Sequence, residues 1–283
     1  MKNGKVYLIG AGPGDPEYLT VKAFRLIKSA DVVLYDTLTS EAIRNLAENA
    51  REILDVGKRP PGGGKRHRSQ ESINRLMVEK AKLGNKVVRL KGGDSNVFGR
   101  GGEEILYLAE RKIRFEVVPG VSSILAAPGL ANIPLTHRKM ASSFTVITGH
   151  EDPTKSNSAL DWRSLAGNIQ AGGTLVILMG VRKIEKNVQA LLSNGVPANI
   201  PVAAIERASY PEQKIVTGTL ATIPELVSEH QISPPAIFVI GKVVSVRNTI
   251  QQEILQQEQS LPALIEHLIP ELQSEQSYSL QQH

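Results

Sequence analysis

Four short loops, each placed after a predicted strand, carry the residues best suited to chemistry. The first, residues 10–15 (GAGPGD), follows the apolar run Val6–Ile9. A glycine loop between a strand and a helix typically lets a ligand approach the backbone more closely than a Cβ would allow. Asp15 stands where the dinucleotide fingerprint needs glycine. An NAD site, with Asp36 as the ribose-binding acid, therefore stays only as an alternative.

The other three loops also come directly after apolar runs. Residues 91–102 hold five glycines, with Asp94 and Arg100 among them. Residues 118–123 (VPGVSS) end a strand and open a helix with two hydroxyl side chains, of which one could serve only as the N-cap. Residues 179–180 (MG) close a strand further along the chain. The five glycines of residues 91–102 are hard to explain as a plain connection between a strand and a helix.

Asp36 ends the second predicted strand and completes this set. In open α/β sheets, ligands bind at the carboxyl ends of the strands. We therefore expect Asp36 and the four loops to converge on one cleft. The carboxylate could accept a proton during a reaction, or it could only cap the turn that follows; the residues alone leave both roles open.

The elements that position these loops are predicted from alternating β-branched runs and helical stretches. This order is typical of the α/β class with mostly parallel sheets. The aperiodic stretch 128–138 is interpreted as a crossing between two α/β domains, with the site in the cleft between them. The predicted limits are 1–138 and 139–250, followed by a Gln-rich extension over 251–283. Lys214–Thr219 alternates apolar and polar residues, which indicates an antiparallel insertion near a sheet edge.

Composition excludes several classes of protein. The 283 residues include no cysteine, so disulfides, a thiolate nucleophile and Cys-ligated metals are excluded. A reducing cytoplasm is the natural location. No apolar run approaches the roughly 20 residues of a membrane span, which predicts a soluble protein. The six histidines are dispersed, so we expect no metal site.

A concentrated basic segment lies at Gly57–Arg68, where five of twelve residues are Lys or Arg. The net charge of +5 also fits a polyanionic partner, either nucleic acid or an acidic small molecule. The segment is the best evidence for a nucleic-acid-binding protein or an RNA methylase. It contains no aromatic residues for base stacking, and aromatics make up only 4% of the chain. We therefore expect no nucleic-acid partner.

Several motifs, in order and with appropriate spacing over about residues 4 to 247, resemble the tetrapyrrole (cobalamin- and siroheme-pathway) methylases. They are Val6–Asp15, Lys91–Arg100, Val117–Ser123, Ile133–Arg138, Thr148–His150, Met179-Gly180 and Ile240–Val244. Within that family, Tyr35-Asp36, Val56–Arg59 and Leu135–Arg138 are most similar to the uroporphyrinogen-III C-methyltransferases.

The resemblance implies a homodimer of two α/β domains that methylates uroporphyrinogen III at C-2 and C-7 to give precorrin-2. It implies Asp36 as the proton acceptor and Lys58 as the proton donor. The methyl donor would be S-adenosyl-L-methionine, with S-adenosyl-L-homocysteine as product. The positions that match the family's cofactor-binding residues are Pro13, Gly92, Gly93, Asp94, Val97, Ser122, Ser123, Met179, Ala208 and Ala236.

The substrate would carry eight carboxylates, and a positive field speeds the encounter with such an anion. We hypothesise that the basic segment, including Arg59, engages these carboxylates together with Arg100, His137 and Arg138. The chain departs from the family at Ser95 and Asn96, where Pro and Phe are usual, and at residues 139–140 (KM), which replace an acidic-aromatic pair. A methylase of a later corrin precursor is therefore the alternative. Since the chain begins at the first strand, we expect no dehydrogenase or chelatase domain before it.

Overall fold

The protein forms two five-stranded sheets, each covered by helices, in a computed structural model that describes residues 4–57, 69–153 and 158–256. The strands are β1 (Lys5–Gly10), β2 (Val32–Tyr35), β3 (Glu52–Asp55), β4 (Lys86–Lys91), β5 (Arg114–Val118), β6 (Phe144–Thr148), β7 (Thr174–Leu178), β8 (Pro201–Glu206), β9 (Lys214–Thr219) and β10 (Ala236–Ile240). The helices are α1 (Val21–Lys28), α2 (Glu41–Asn45), α3 (Gln70–Lys82), α4 (Gly101–Glu110), α5 (Ser123–Leu130), α6 (Trp162–Gln170), α7 (Ile184–Ser193) and α8 (Ile223–Glu229). Residues 244–256 form a further helical stretch.

The first sheet is parallel throughout, with strand order β3-β2-β4-β1-β5. Its strands alternate their side chains between two apolar layers. Leu8 and Leu34 pack with α3 and α4 on one face, whereas Ile9 and Val33 pack with α1 and α2 on the other. Burial on both faces explains the continuous apolar runs in the sequence. The parallel α/β prediction is confirmed for this half, and β4 is its central strand.

The second sheet has strand order β6-β7-β10-β8-β9 and is mixed. Only β6 and β7 pair in parallel, while β10 runs antiparallel to both of its neighbours and β9 runs antiparallel to β8. The expectation of a mostly parallel sheet is therefore wrong for the strand pairs of this half. The cause is that a strand buried on both faces, such as β10, has the same apolar pattern in either direction. The antiparallel edge strand predicted at Lys214–Thr219 is confirmed.

The segment between the two sheets begins with the end of a helix, although residues 128–138 were predicted to have no regular structure. α5 continues through Pro128 to Leu130. Ala127, Ala131 and Ile133 pack in the same apolar cluster as Val176 of β7, so by its contacts this segment belongs to the second core. The limits 1–138, 139–250 and 251–283 stay a prediction, and residues 257–283 lie outside the described residues.

Two lysines bind one carboxylate at the edge of the first sheet. Lys5 Nζ lies 2.6 Å from Glu116 Oε2, and Lys22 pairs with the other oxygen. Hydrogen bonds from Lys22 and then Lys5 lower the pKa of Glu116 to about 2. A depressed carboxyl pKa contributes stability that is fully present above the ordinary value of 4.5 and is lost as the pH falls toward 2.

We therefore expect Glu116→Gln to lower the free energy of unfolding at pH 7 by about 0.5–1 kcal/mol, since the pairs are partly exposed. The deficit should shrink steadily as urea unfolding is repeated below pH 4.5, where the wild type loses the same contribution. Glu71→Gln removes a single exposed pair with Arg75 and should cost less. A deficit that is equal at pH 7 and pH 3 would contradict this account.

Candidate functional site

The three glycine loops of the first sheet interlock through their backbones. A Cβ on Gly120 would lie 2.5 Å from the carbonyl carbon and oxygen of Gly10 and from Gly93 O. A Cβ on Gly10 would lie 2.5 Å from Gly120 N. Real Cβ atoms do not approach other atoms so closely, and both neighbours are backbone. Glycine is therefore required at Gly10 and Gly120 for the loops after β1, β4 and β5 to meet at all.

Hydrogen bonds hold this glycine cradle, defined as residues 10–14, 92–94 and 120–123, in one arrangement. Gly93 N donates to Gly12 O at 2.7 Å, and Gly12 N donates back to Gly93 O at 3.1 Å. Both residues have positive φ, 72° at Gly12 and 66° at Gly93. Asp94 accepts Gly120 N on Oδ2 at 3.0 Å and Asn96 N on Oδ1 at 2.8 Å. The Asp94 carboxylate thus joins the second loop to the third.

The amino end of α5 faces the cradle. Ser122 is the N-cap residue and is buried, and its side chain makes no cap hydrogen bond. The backbone N of Ser123 would lie 3.5 Å from a Cβ on Gly93. The absent side chain at Gly93 therefore leaves the first peptide groups of α5 open to a ligand in the cradle. Such a helix end favours negatively charged groups.

The second sheet presents three of the predicted residues at one edge. Met179 follows β7, has φ 56° and is 51% exposed. Ala208 is buried just after β8, between Arg207 and Ser209, which both have positive φ. Ala236 pairs with the last residue of β8, because β10 runs antiparallel and brings its amino end to this edge.

The turn after β8, residues 207–213, joins this edge to the glycine cradle. Asp15 N donates to Ser209 Oγ at 3.1 Å. The ring of Tyr210 covers Gly14 so closely that a Cβ there would overlap it. Burial raises the pKa of Tyr210. The predicted convergence of the two domains on one cleft therefore has direct contacts at this point, and the sequence reasoning had not singled out Ser209 or Tyr210.

Asp36 stands at the end of β2 and caps the turn that follows. Its Oδ1 accepts Leu38 N at 3.1 Å and the Thr39 hydroxyl at 3.2 Å. No described residue hydrogen-bonds Oδ2. A Cβ on Gly92 would lie 2.7 Å from Leu38 Cβ, so the turn that Asp36 caps packs directly against the cradle. The capping role is present, and one carboxylate oxygen is left for other chemistry.

A buried group of charges lies beneath this region and was missed from the sequence. Glu104 of α4 is fully buried; its Oε1 accepts Arg89 Nε at 3.3 Å, and its Oε2 lies 3.1 Å from Lys91 Nζ. Burial lowers the pKa of Lys91, and Arg89 lowers it further, while Glu104 and Asp36 raise it. The sequence feature that could have revealed this group is the presence of two cationic residues, Arg89 and Lys91, in the central buried strand.

The other predicted site residues of the first half of the chain do not take part in the contacts described above. Val97 is half-buried near the second loop. Arg100 is exposed and forms a bidentate ion pair with Glu103, at 2.7 Å and 2.5 Å. Lys58 and Arg59 lie, with the rest of residues 58–68, outside the described part of the chain.

His137 and Arg138 lie in a hairpin in which His137 bridges to Ala141. The Thr174 hydroxyl, at the first residue of β7, donates to Leu135 O at 2.9 Å and anchors this hairpin. Met179 follows the last residue of the same strand, about 16 Å away at the usual strand rise. The structure does not bring His137 and Arg138 to the edge that carries Met179.

Two kinds of feature were not found in the described part of the chain. Within residues 4–57, 69–153 and 158–256, no group of three or more His, Asp or Glu side chains is placed to hold a metal ion. In the same residues, no helix is long and apolar enough to cross a membrane.

The sequence is similar to those of known proteins. The sequence model of the Tetrapyrrole (Corrin/Porphyrin) Methylases matches residues 5–224. The chain is 49% identical over 250 residues to the S-adenosyl-L-methionine-dependent uroporphyrinogen III methyltransferase of Methanosarcina barkeri, which covers 88% of this chain and 96% of the relative.

Solved structures agree with the same family. Uroporphyrin-III C-methyl transferase from Thermus thermophilus, complexed with S-adenyl homocysteine, superposes with a TM-score of 0.71 at 41% identity, over 86% of this chain and 94% of that one. A cobalt precorrin-4 methyltransferase superposes with a TM-score of 0.72 at 27% identity, over 85% of this chain and 95% of that one. The motifs, the two-sheet fold and these matches show that the chain belongs to the tetrapyrrole (corrin/porphyrin) methylases.

Proposed function

We propose that this protein transfers methyl groups from S-adenosyl-L-methionine to C-2 and C-7 of uroporphyrinogen III, giving precorrin-2 and S-adenosyl-L-homocysteine. The observation that carries the proposal is the interlocked glycine cradle at the carboxyl edge of the first sheet, joined to the edge that bears Met179 and Ala208. It occurs in a chain that is 49% identical over 250 residues to a relative named as an S-adenosyl-L-methionine-dependent uroporphyrinogen III methyltransferase.

The residues present suit the methyl donor. The cradle has no Cβ atoms at Gly92 and Gly93, and beside it lies the amino end of α5, whose peptide groups suit a carboxylate. Ala208 and Ala236 are small and buried at the edge of the second sheet that carries Met179. The residues proposed to hold the donor are Pro13, Gly92, Gly93, Asp94, Val97, Ser122, Ser123, Met179, Ala208 and Ala236. S-adenosyl-L-methionine supplies an electrophilic methyl group when bound.

The protein's own task is alignment and the removal of one proton. A reduced pyrrole carbon is an adequate nucleophile, and holding the reactants in line can supply roughly 7–11 kcal/mol of the barrier. After methylation the ring must lose a proton, and we assign Asp36 as its acceptor. The unengaged Oδ2 and the position of Asp36 against Gly92 support this role. Lys58 is proposed as the proton donor from the resemblance alone.

The proposed substrate contacts come from the sequence hypothesis. Arg59, Arg100, His137 and Arg138 stay predictions as partners of the substrate carboxylates. Ser95, one of the departures from the family, is fully buried, and its hydroxyl has no hydrogen-bond partner among the described residues. The cobalt precorrin-4 methyltransferase shares 27% identity with this chain, whereas the Thermus thermophilus and Methanosarcina barkeri enzymes named above share 41% and 49%, which favours uroporphyrinogen III.

The proposal extends to assembly and location. We propose a homodimer that works in a reducing cytoplasm, without a nucleic-acid partner. The family resemblance supports the dimer, and the absence of cysteine from the sequence supports the location.

The direct test is anaerobic incubation of the purified protein with uroporphyrinogen III and methyl-labelled S-adenosyl-L-methionine. We expect two labelled methyl groups per substrate molecule, measured by label and by product mass. One methyl group would keep the substrate and revise the extent of reaction. No incorporation, with S-adenosyl-L-homocysteine still bound in calorimetry, would reject this substrate and direct the search to later corrin precursors.

A further inference from the structure

The buried charges beneath the cradle are unequal in number. Glu104 is matched by two cations, Arg89 and Lys91, whose side chains are 4% and 5% exposed. Gln70 donates a neutral hydrogen bond to the same carboxylate at 3.0 Å. Glu104 and Arg89 would form a balanced pair by themselves, so Lys91 brings a positive charge that the pair does not need. A buried charge is costly unless it is matched, and the second anion must be sought nearby.

The strand register places Asp36 beside Lys91. Tyr35 of β2 pairs with Leu90 of β4, so Asp36 and Lys91 are the next residues of two adjacent parallel strands. Leu34 faces the layer of α3 and α4, and alternation along the strands turns Asp36 and Lys91 toward that same side. The electrostatic influence of Asp36 on Lys91 has the sign expected of this juxtaposition.

Other charged groups surround Asp36 from the elements packed against it. Arg89 and Glu104 lie on the side of β4 and α4. Tyr210 of the 207–213 turn interacts electrostatically with Asp36, and also with Arg207 and with Arg44 of α2. Arg44 itself donates to Thr39 O at 2.7 Å and lies over the Tyr35 ring. Among these groups, Lys91 is the buried cation that occupies the strand position next to Asp36.

We propose that Lys91 is a positioning residue for methyl transfer, whose ammonium occupies the strand position next to Asp36 and favours the negative charge that Asp36 needs to accept a proton. The inference rests on the proposed function, in which Asp36 accepts the ring proton. Lys91 is too deeply buried to contact the substrate, so it acts through Asp36.

The test compares Lys91→Met with Arg89→Met. Each variant removes one positive charge and leaves one balanced pair with Glu104, so a requirement for charge balance alone would affect both alike. We expect the acid limb of the kcat profile to move up by about one pH unit in Lys91→Met only. On that limb kcat falls by about tenfold. KM and the dissociation constant of S-adenosyl-L-homocysteine should be unchanged, and Lys91→Arg should restore the profile.

A second measurement does not depend on the substrate. The carboxyl carbon of Asp36, assigned by comparison with Asp36→Asn, is titrated by NMR in the wild type, Lys91→Met and Arg89→Met. A titration midpoint that rises by about one pH unit in Lys91→Met alone supports the inference, even if uroporphyrinogen III proves not to be the substrate. A midpoint that is unchanged, or that moves equally in both variants, overturns it while leaving the proposed function intact.

Discussion

Replacing Asp36 with asparagine should lower kcat by about a hundredfold or more, because an acceptor positioned for proton transfer contributes roughly 10²–10⁴ to a rate. The substitution keeps the shape of the side chain and an oxygen that can accept Leu38 N and the Thr39 hydroxyl, so the turn against Gly92 should survive. The binding of S-adenosyl-L-homocysteine, measured by calorimetry, should therefore stay within about twofold of the wild type.

The matched control is Asp55→Asn. Asp55 ends the neighbouring strand β3 and accepts Gly57 N at 2.9 Å, so it caps a turn in the same way. If capping is all that Asp36 contributes, the two variants should behave alike in single-turnover methyl transfer. A loss of less than about threefold in Asp36→Asn would remove it from the proton-acceptor role.

Replacing Gly120 with alanine should disrupt cofactor binding from a position that need not touch the cofactor. The new Cβ would lie 2.5 Å from the backbone of both Gly10 and Gly93, and neither can move without opening the cradle. Overpacking of this kind costs about 1–3 kcal/mol. We expect a similar loss in the free energy of unfolding, and a dissociation constant for S-adenosyl-L-homocysteine that rises by about tenfold to a hundredfold.

Gly102→Ala provides the comparison. Gly102 lies in the first turn of α4, in the same glycine-rich segment, and a Cβ there would meet nothing within 4 Å. Alanine should be neutral or stabilising by up to about 1 kcal/mol, with unchanged cofactor affinity. Affinity is measured below the unfolding transition of each variant. Equal effects in Gly102→Ala and Gly120→Ala would show that the loops do not depend on their close approach.

Much of the site's placement could be read from local sequence. The apolar runs of the first sheet are buried on both faces, so their composition alone predicts parallel strands under helices. The order of strands and helices then places Gly10, Asp36, Gly92 and Gly120 at one edge, since the carboxyl ends of parallel strands meet there. The edge strand predicted at Lys214–Thr219 was observed with the same bounds, because its alternation of apolar and polar residues is a local signal.

The tertiary structure alone decided the rest, because the interactions involved join residues far apart in the chain. The apolar run Ala236–Ile240 does not indicate in which direction the strand runs in the sheet. Only its pairing in the fold shows that it is antiparallel to β7 and β8. The glycines were interpreted as room for a ligand, yet Gly10 and Gly120 are needed first for contact between two backbones. Lys91 was counted in the second glycine loop, and its charge could be interpreted only from Glu104 on a helix and Asp36 after another strand. Local sequence determines the periodicity of apolar residues and the residues that form turns. The balance of buried charges and the contacts between backbones depend on which distant segments the fold brings together.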